Sequence, residues 1–290
     1  MSYLNKTQHQ TKKISPRRVF FAVCALAIGF AVLAVATKDA HAVRVSLKRV
    51  VFDESKRSEI LTIINNSSEP KTYRLGWKKY RMDENEALKA IEEGEDDSGI
   101  LWADNMVRYA PRRITVAPGG TQQVRLLLRR PKDMQEGEYR SHLWIVTEGK
   151  PDAFNPDPSS QARQIRLEVQ PAISLPIFVR QGELNVETSI SDISAKRNSN
   201  GLTVGFTLNR TGNRSIYGDV DFVCTDIDTV IHQVKGIAVY RETARRNMDF
   251  EVPGTTDALA CSNLKVVYRA DPNDRDFPSE VLAEAPTVIN

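Results

Sequence analysis

The sequence has 290 residues and a formal net charge of +3. Residues 1–42 hold six basic side chains and one acidic side chain, so the rest of the chain carries 34 Lys and Arg against 36 Asp and Glu, a net charge of −2. This near balance excludes the large basic surplus of nucleic-acid-binding proteins, and residues 43–290 suit two domains of ordinary size.

The first 42 residues have the three parts of a secretory signal peptide. Basic residues come first, at Lys12, Lys13, Arg17 and Arg18. An apolar run follows over residues 19–36, and Ala40-His41-Ala42 fits the small-x-small pattern of a cleavage site. The pattern predicts export with cleavage after Ala42. An uncleaved membrane anchor is the alternative, because the apolar run is long enough to span a bilayer.

Short strands are predicted next, with turn clusters between them. They include residues 58–64, 73–80, 123–128 and 138–146, and Asn65-Asn66-Ser67-Ser68 is one of the turns. About seven short strands spaced in this way predict an antiparallel β-sandwich.

Residues 82–98 interrupt the β pattern with a run of acidic residues. Leu88 and Ile91 have helical spacing, which predicts a surface insertion with a short helix. The acidic residues lack the spacing and the glycine of a calcium-binding loop, so a metal site is not expected there.

Residues 164–180 alternate almost without a break, which predicts one long strand with an apolar face. The apolar positions are Ile165, Leu167, Val169, Pro171, Ile173, Leu175, Ile177 and Val179. Strands usually have about five or six residues, so only part of this stripe is expected to be buried in its own domain. The remainder would be an exposed apolar edge, which favours binding of another chain by strand addition.

A second β-domain is predicted over residues 181–290, after a first domain over residues 43–180. Cys224 and Cys261 are the two cysteines beyond the leader, and both lie in strand-like segments. An even count in an exported protein favours a disulfide, and two unpaired buried thiols are the alternative. The polar tail from Asp271 is predicted to be loose.

Sequence motifs of catalysis are absent. There is no G-x-S-x-G, no P-loop and no G-x-G-x-x-G pattern. Beyond the leader only His142 and His232 remain, and neither belongs to a Cys/His cluster, so no transition-metal site or cofactor is expected. His142 is interpreted as a partly buried structural residue. We therefore expect a protein that is not an enzyme.

Four short motifs follow one another in a characteristic order. They are Arg49-Val50-Val51-Phe52-Asp53, an apolar strand with an Asn-rich turn at residues 60–66, a Pro-Gly turn followed by Gln-x-Val-Arg within residues 109–125, and Gly-Glu-Tyr at residues 137–139. Their order and spacing resemble the periplasmic pilus-assembly chaperones of the chaperone–usher pathway. The resemblance implies an all-β fold of two immunoglobulin-like β-sandwich domains, set at an angle with a cleft between them.

In that family the chaperone lends its seventh strand to an incomplete pilus subunit, until an outer-membrane usher exchanges it for the extension of another subunit. The resemblance therefore implies a periplasmic location, and pilus (fimbrial) subunits and an usher as partners. The donor residues that it implies in this chain are Val169, Ile173, Leu175 and Ile177.

The family also anchors the carboxylate at the subunit's C-terminus with an Arg on the first strand and a Lys on the seventh. Arg49 matches the Arg by motif. Pro176 stands where the Lys is expected, and a Pro offers no cation and no backbone N–H. Arg180 or Arg166 is the predicted substitute, and the alternative is a divergent branch of the family that anchors the subunit differently.

Two other functions are alternatives. An exported β-sandwich pilus subunit or carbohydrate-binding module would share the fold, but a subunit would carry its alternating segment at the mature N-terminus. An exported hydrolase would need a catalytic constellation that the sequence lacks. The exposed apolar edge also predicts self-association of the free protein.

Overall fold

The computed structural model describes residues 43–85, 88–149 and 169–290, which all lie in one compact unit. The predicted signal peptide, Arg166 and the start of the predicted long strand lie outside the described residues. Within the described part of the chain, no helix has the length and hydropathy that crossing a membrane requires.

Eleven strands lie in the described residues of the first half of the fold. They are β1 (Val43–Val45), β2 (Val50–Phe52), β3 (Ser58–Asn65), β4 (Lys71–Lys78), β5 (Tyr80–Arg81), β6 (Lys89–Ala90), β7 (Val107–Ala110), β8 (Arg113–Val116), β9 (Thr121–Leu128), β10 (Gly137–Thr147) and β11 (Ala172–Gln181). One sheet has the order β1-β3-β9-β7 and the other β2-β11-β10-β4-β8. Neighbours in both sheets are antiparallel, except that β2 runs parallel to β11.

The strands follow the period of two that the sequence predicts. In β9, Val124 and Leu126 are buried, whereas Gln123 and Arg125 beside them are exposed. Residues that face inward from both sheets, such as Phe52, form a single core between the sheets. The first β-sandwich is therefore stabilised mainly by burial of alternating aliphatic side chains.

The turn after β3 is built by one buried amide side chain. Asn65 donates from Nδ2 to the carbonyl oxygens of Glu69 (2.8 Å) and Val116 (3.0 Å). Its Oδ1 accepts from the backbone N–H of Ser67 at 3.0 Å. These bonds satisfy the polar groups of a buried Asn and confirm the turn that the sequence predicts.

The second half of the chain forms another sandwich. Its elements are β12 (Val186–Asn198), β13 (Gly201–Gly212), β14 (Ile216–Cys224), β15 (Thr229–Val239), β16 (Arg245–Pro253), α1 (Thr256–Ala260), β17 (Asn263–Ala270) and β18 (Val281–Val288). The sheets have the orders β12-β13-β16 and β15-β14-β17-β18 and enclose a core of their own. The predicted all-β class with two sandwiches is thus confirmed.

Of two predictions for the C-terminal half of the chain, one is wrong and one is confirmed. The predicted loose tail is wrong, because β18 pairs with β17 and Asn290 exchanges backbone hydrogen bonds with Ala195 and Arg197. The predicted disulfide is present and joins Cys224 to Cys261, with a Cα–Cα distance of 5.8 Å.

The acidic insertion is a hairpin, so the helix predicted for it is wrong among its described residues. Strands β5 and β6 pair with each other. Met82, at 5% exposure, is buried with Phe178 of the first sandwich and with Ala238 and Tyr240 of the second, and Leu88 packs against the same cluster. This tertiary burial overrides the helical spacing of the apolar residues.

Candidate functional site

One edge of β11 is only partly covered. On one side β11 pairs with β10 along its whole length. On the other side β2 pairs only with residues 177–179. Within the described residues no strand pairs with this second side of residues 172–176, so an open strand edge remains beside the first sandwich.

The structure divides the predicted donor residues into two groups. Leu175 and Ile177 are 1% and 0% exposed and lie in the core of their own sandwich. Ile173 is partly buried against that core, whereas Val169, which precedes the strand, is 78% exposed. Side chains that fill their own core cannot at the same time fill a groove in a partner. The burial of Leu175 and Ile177 favours Val169 and Ile173 as donor residues, and the donor role of all four residues stays a prediction.

The opposite face of β11 contacts the second sandwich. The Phe178 ring packs edge-on against the Tyr240 ring, with centroids 5.7 Å apart. Two residues later, Arg180 donates from Nε to Glu138 Oε2 at 3.0 Å, and Glu138 Oε1 accepts from the backbone N–H of Ser215 at 2.9 Å. The end of the strand is thus held by contacts with both sandwiches.

Arg49 and Arg180, the two predicted anchor residues, both line a cleft of about 1390 Å³ between the sandwiches. The Arg49 guanidinium lies over the Tyr217 ring, 4.3 Å from its centroid, and its Nη2 is 3.5 Å from Asp274 Oδ2. Burial and then the nearby charge of Arg180 lower the pKa of Arg49 from its ordinary value. The two guanidinium groups thus line one cleft, and their role as anchors stays a prediction.

Pro176 lies within the open part of β11, opposite His142 of β10. The structure thus leaves this position without a cation, and Arg180, four residues further along, supplies one in the cleft. Sequence reasoning missed Arg214, Asp274 and Asp276 in this region. Asp274 and Asp276 lie in a cluster of charged residues, within the segment that was predicted to be loose, and this cluster was the only local signal. Arg214 lies far from that segment in the sequence and had no such signal.

A second polar cluster joins the sandwiches beneath the insertion. Arg140 Nη2 lies 2.5 Å from Glu242 Oε1, and the two side chains are 3% and 5% exposed. The Arg140 guanidinium stacks 4.1 Å from the centroid of Tyr240. Glu242 Oε1 also accepts the backbone N–H of Met82 at 3.1 Å. The buried ion pair thus fixes the insertion and both sandwiches at one point.

His142 lies in the same contact region, fully buried between the rings of Tyr80 and Tyr240. Burial, and then the charge of Arg140, lower its pKa to about 3. Its Nε2 has no hydrogen-bond partner among the described residues. His142 is therefore a neutral structural residue.

This burial predicts a loss of stability in acid. Because the folded pKa of about 3 lies below an unfolded value of about 6.5, the contribution is complete above pH 6.5 and is lost as pH falls toward the folded pKa. Between pH 7 and pH 4.5 we expect the free energy of unfolding to fall by about 2–3 kcal/mol from this residue. Urea unfolding of the wild type and of His142→Asn measures it; equal pH slopes would contradict the assignment.

One group of potential metal ligands comes together in the described residues: Cys224, Asp226 and Cys261. Both sulfurs belong to the disulfide, and the Asp226 carboxylate accepts the backbone N–H groups of Ser262 and Asn263. The group is therefore accounted for as a structural cross-link beside a turn.

Among the comparisons with known proteins, only the comparison with solved structures finds similar chains. No model of a known protein family matches the sequence, and no curated protein matches it. The chain is similar to the Pseudomonas aeruginosa CupB2 chaperone, with 13% identity, coverage of 84% of this chain and 98% of that chain, and a TM-score of 0.41.

The chain is also similar to a chain of the CsuC–CsuE chaperone–tip adhesion subunit pre-assembly complex from the archaic chaperone-usher Csu pili of Acinetobacter baumannii. The identity is 10%, the match covers 86% of this chain and 98% of that chain, and the TM-score is 0.43. The E. coli chaperone DraB is also similar, with 11% identity, coverage of 86% of this chain and 97% of that chain, and a TM-score of 0.40.

Proposed function

We propose that the chain is a periplasmic chaperone of the chaperone–usher type, which binds pilus subunits by strand addition and delivers them to an outer-membrane usher. The single observation that carries the proposal is the open edge of β11 over residues 172–176, with the exposed Val169 just before it. An open edge offers unpaired backbone groups that a partner strand can use.

The donated side chains are Val169 and Ile173, which share one side of the alternation. Ile165 and Leu167 continue that alternation in the sequence and lie outside the described residues. Full burial of each aliphatic side chain in a partner's groove contributes about 1.5–3 kcal/mol, before the cost of association. Leu175 and Ile177 act differently: they hold the strand on its own sandwich while its free part binds.

The cleft supplies the second part of the proposed site. A subunit strand that runs along the β11 edge toward residue 177 approaches Arg49 and Arg180 at its end. Their guanidinium groups are suited to bind a terminal carboxylate, since charge-assisted hydrogen bonds to Arg are strong. Arg180 replaces the Lys that anchors the carboxylate in the chaperone family that the chain resembles, because Pro176 occupies the position of that Lys.

The proposal is tested by a pull-down of the tagged, exported protein from the periplasm of its own host. We expect small exported β-rich proteins with alternating apolar N-terminal extensions to co-purify, and Arg49→Ala to reduce their recovery about tenfold or more, as loss of a charge-assisted contact does. An empty pull-down from cells that make pilus subunits would overturn the chaperone function. Unchanged recovery with Arg49→Ala would overturn the anchor only.

A further inference from the structure

The loop of residues 271–277, between β17 and β18, carries acidic side chains from the second sandwich into the cleft. Arg275 fixes the loop to the first sandwich, because its Nη1 lies 2.7 Å from Asp53 Oδ2. Asp274 and Asp276, on either side of Arg275, both contact cations. The loop therefore places two resident carboxylates where a partner's carboxylate is proposed to bind.

Three guanidinium groups and three carboxylates contact one another in this region. The guanidinium groups belong to Arg49, Arg180 and Arg214, and each has a carboxylate within 4 Å. The carboxylates belong to Glu138, Asp274 and Asp276. Among the described residues, a further carboxylate that binds one of these three guanidinium groups therefore competes with a carboxylate already there.

Asp274 is held too firmly to leave. Both of its carboxylate oxygens accept from Arg214 Nη2 at 2.6 Å, and Oδ1 also accepts the backbone N–H groups of Asp276 and Phe277. Its side chain is 5% exposed. Burial alone would raise the pKa of Asp274, but the hydrogen bonds and charge of Arg214, with the charge of Arg180, outweigh it and lower that pKa. Its removal would leave the buried Arg214 charge poorly compensated.

Asp276 has the opposite properties. Its side chain is 52% exposed, lies 2.7 Å from Arg214 Nη1, and is 3.8 Å from Arg180 Nη1, at the outer limit of an ion pair. Its departure would leave Arg214 with Asp274, while Arg180 would gain room for another carboxylate. The contact of this half-exposed carboxylate with Arg180 is worth about 1 kcal/mol or less at such a distance, so a ligand can compete for Arg180.

We propose that Asp276 is a resident competitor, a built-in carboxylate that occupies the Arg180 side of the cleft until the carboxylate of a bound chain replaces it. This inference rests on the proposed carboxylate anchor and adds its regulation. The exchange lowers the affinity of the free cleft for stray anions and couples capture of a partner to movement of the 271–277 loop.

The test uses sodium acetate as the probe and the exported protein labelled with ¹⁵N. Acetate is added at constant ionic strength while the Nε–Hε signals of Arg49 and Arg180 are followed by NMR. We expect Asp276→Asn to lower the acetate midpoint about two- to fivefold relative to the wild type. Glu280→Gln, which removes an exposed carboxylate between this loop and β18, is expected to leave the midpoint unchanged.

Equal midpoints in the wild type and Asp276→Asn would overturn the competitor, and so would Arg signals that acetate does not shift in either protein. Thermal unfolding of both variants checks that the fold is retained. The pull-down separates the two proposals: tighter acetate binding with no captured subunits would leave the competitor standing and remove the chaperone function.

Discussion

Val169→Asn is expected to abolish capture of the partner and leave the fold intact, whereas Leu175→Asn is expected to destabilise the first sandwich. The two positions belong to one alternating stripe, yet Val169 is 78% exposed and Leu175 is 1% exposed. An exposed substitution changes stability by about 0.5 kcal/mol or less. A polar amide in the core costs about 3–5 kcal/mol, from lost burial and an unsatisfied polar group.

Urea unfolding measures the stability of both variants, and the periplasmic pull-down measures partner capture. Val230→Asn is the matched control, because Val230 is also exposed (51%) but lies on β15 of the second sandwich. We expect the control to resemble the wild type in both assays. Normal capture by Val169→Asn, or an unchanged stability of Leu175→Asn, would contradict the division of the stripe.

Glu242→Gln is expected to be the second severe substitution. Glu242 and Arg140 form a buried ion pair with side chains 5% and 3% exposed. Neutralising the acid leaves a buried guanidinium charge without its partner, and the free energy of unfolding should fall by about 3–5 kcal/mol. The backbone N–H of Met82 shares the same acceptor, so the insertion should also loosen from the second sandwich.

Urea unfolding tests the loss of stability, and hydrogen exchange at residues 80–82 tests the loosening. Glu284→Gln is the control, since Glu284 pairs with Lys265 at 3.2 Å on the surface, where the side chains are 51% and 33% exposed. Exposed pairs contribute about 1 kcal/mol or less. The ion pair would not have its assigned role if Glu242→Gln were no more destabilising than Glu284→Gln.

The strands were predictable because their signal is local. Residues such as Val124 and Leu126 alternate with exposed polar neighbours, and one buried face is enough to reveal that period. The sequence could not show which apolar residues of the alternating segment 164–180 lie in the core. Leu175 and Val169 have the same pattern in sequence, and their burial depends on how far the opposing sheet extends.

Contacts between the sandwiches could not be predicted from the sequence, for a related reason. Arg214 and Asp274 are 60 residues apart, and Arg140 and Glu242 are 102 apart, so no spacing rule connects them. The insertion was given a helix because two apolar residues have helical spacing, whereas burial of Met82 under Tyr240 decides its form. The positions of the polar residues in the candidate site therefore depend on tertiary contacts, which the sequence alone does not reveal.

Strand addition at β11 is tested most directly by photo-crosslinking in the native host. A photoreactive amino acid replaces Val169 in one variant and Val230 in another, and each is activated in cells that make pilus subunits. We predict a covalent adduct with an exported β-rich subunit from position 169 and none from position 230. Absence of an adduct at position 169, or equal yields at the two positions, would contradict the account.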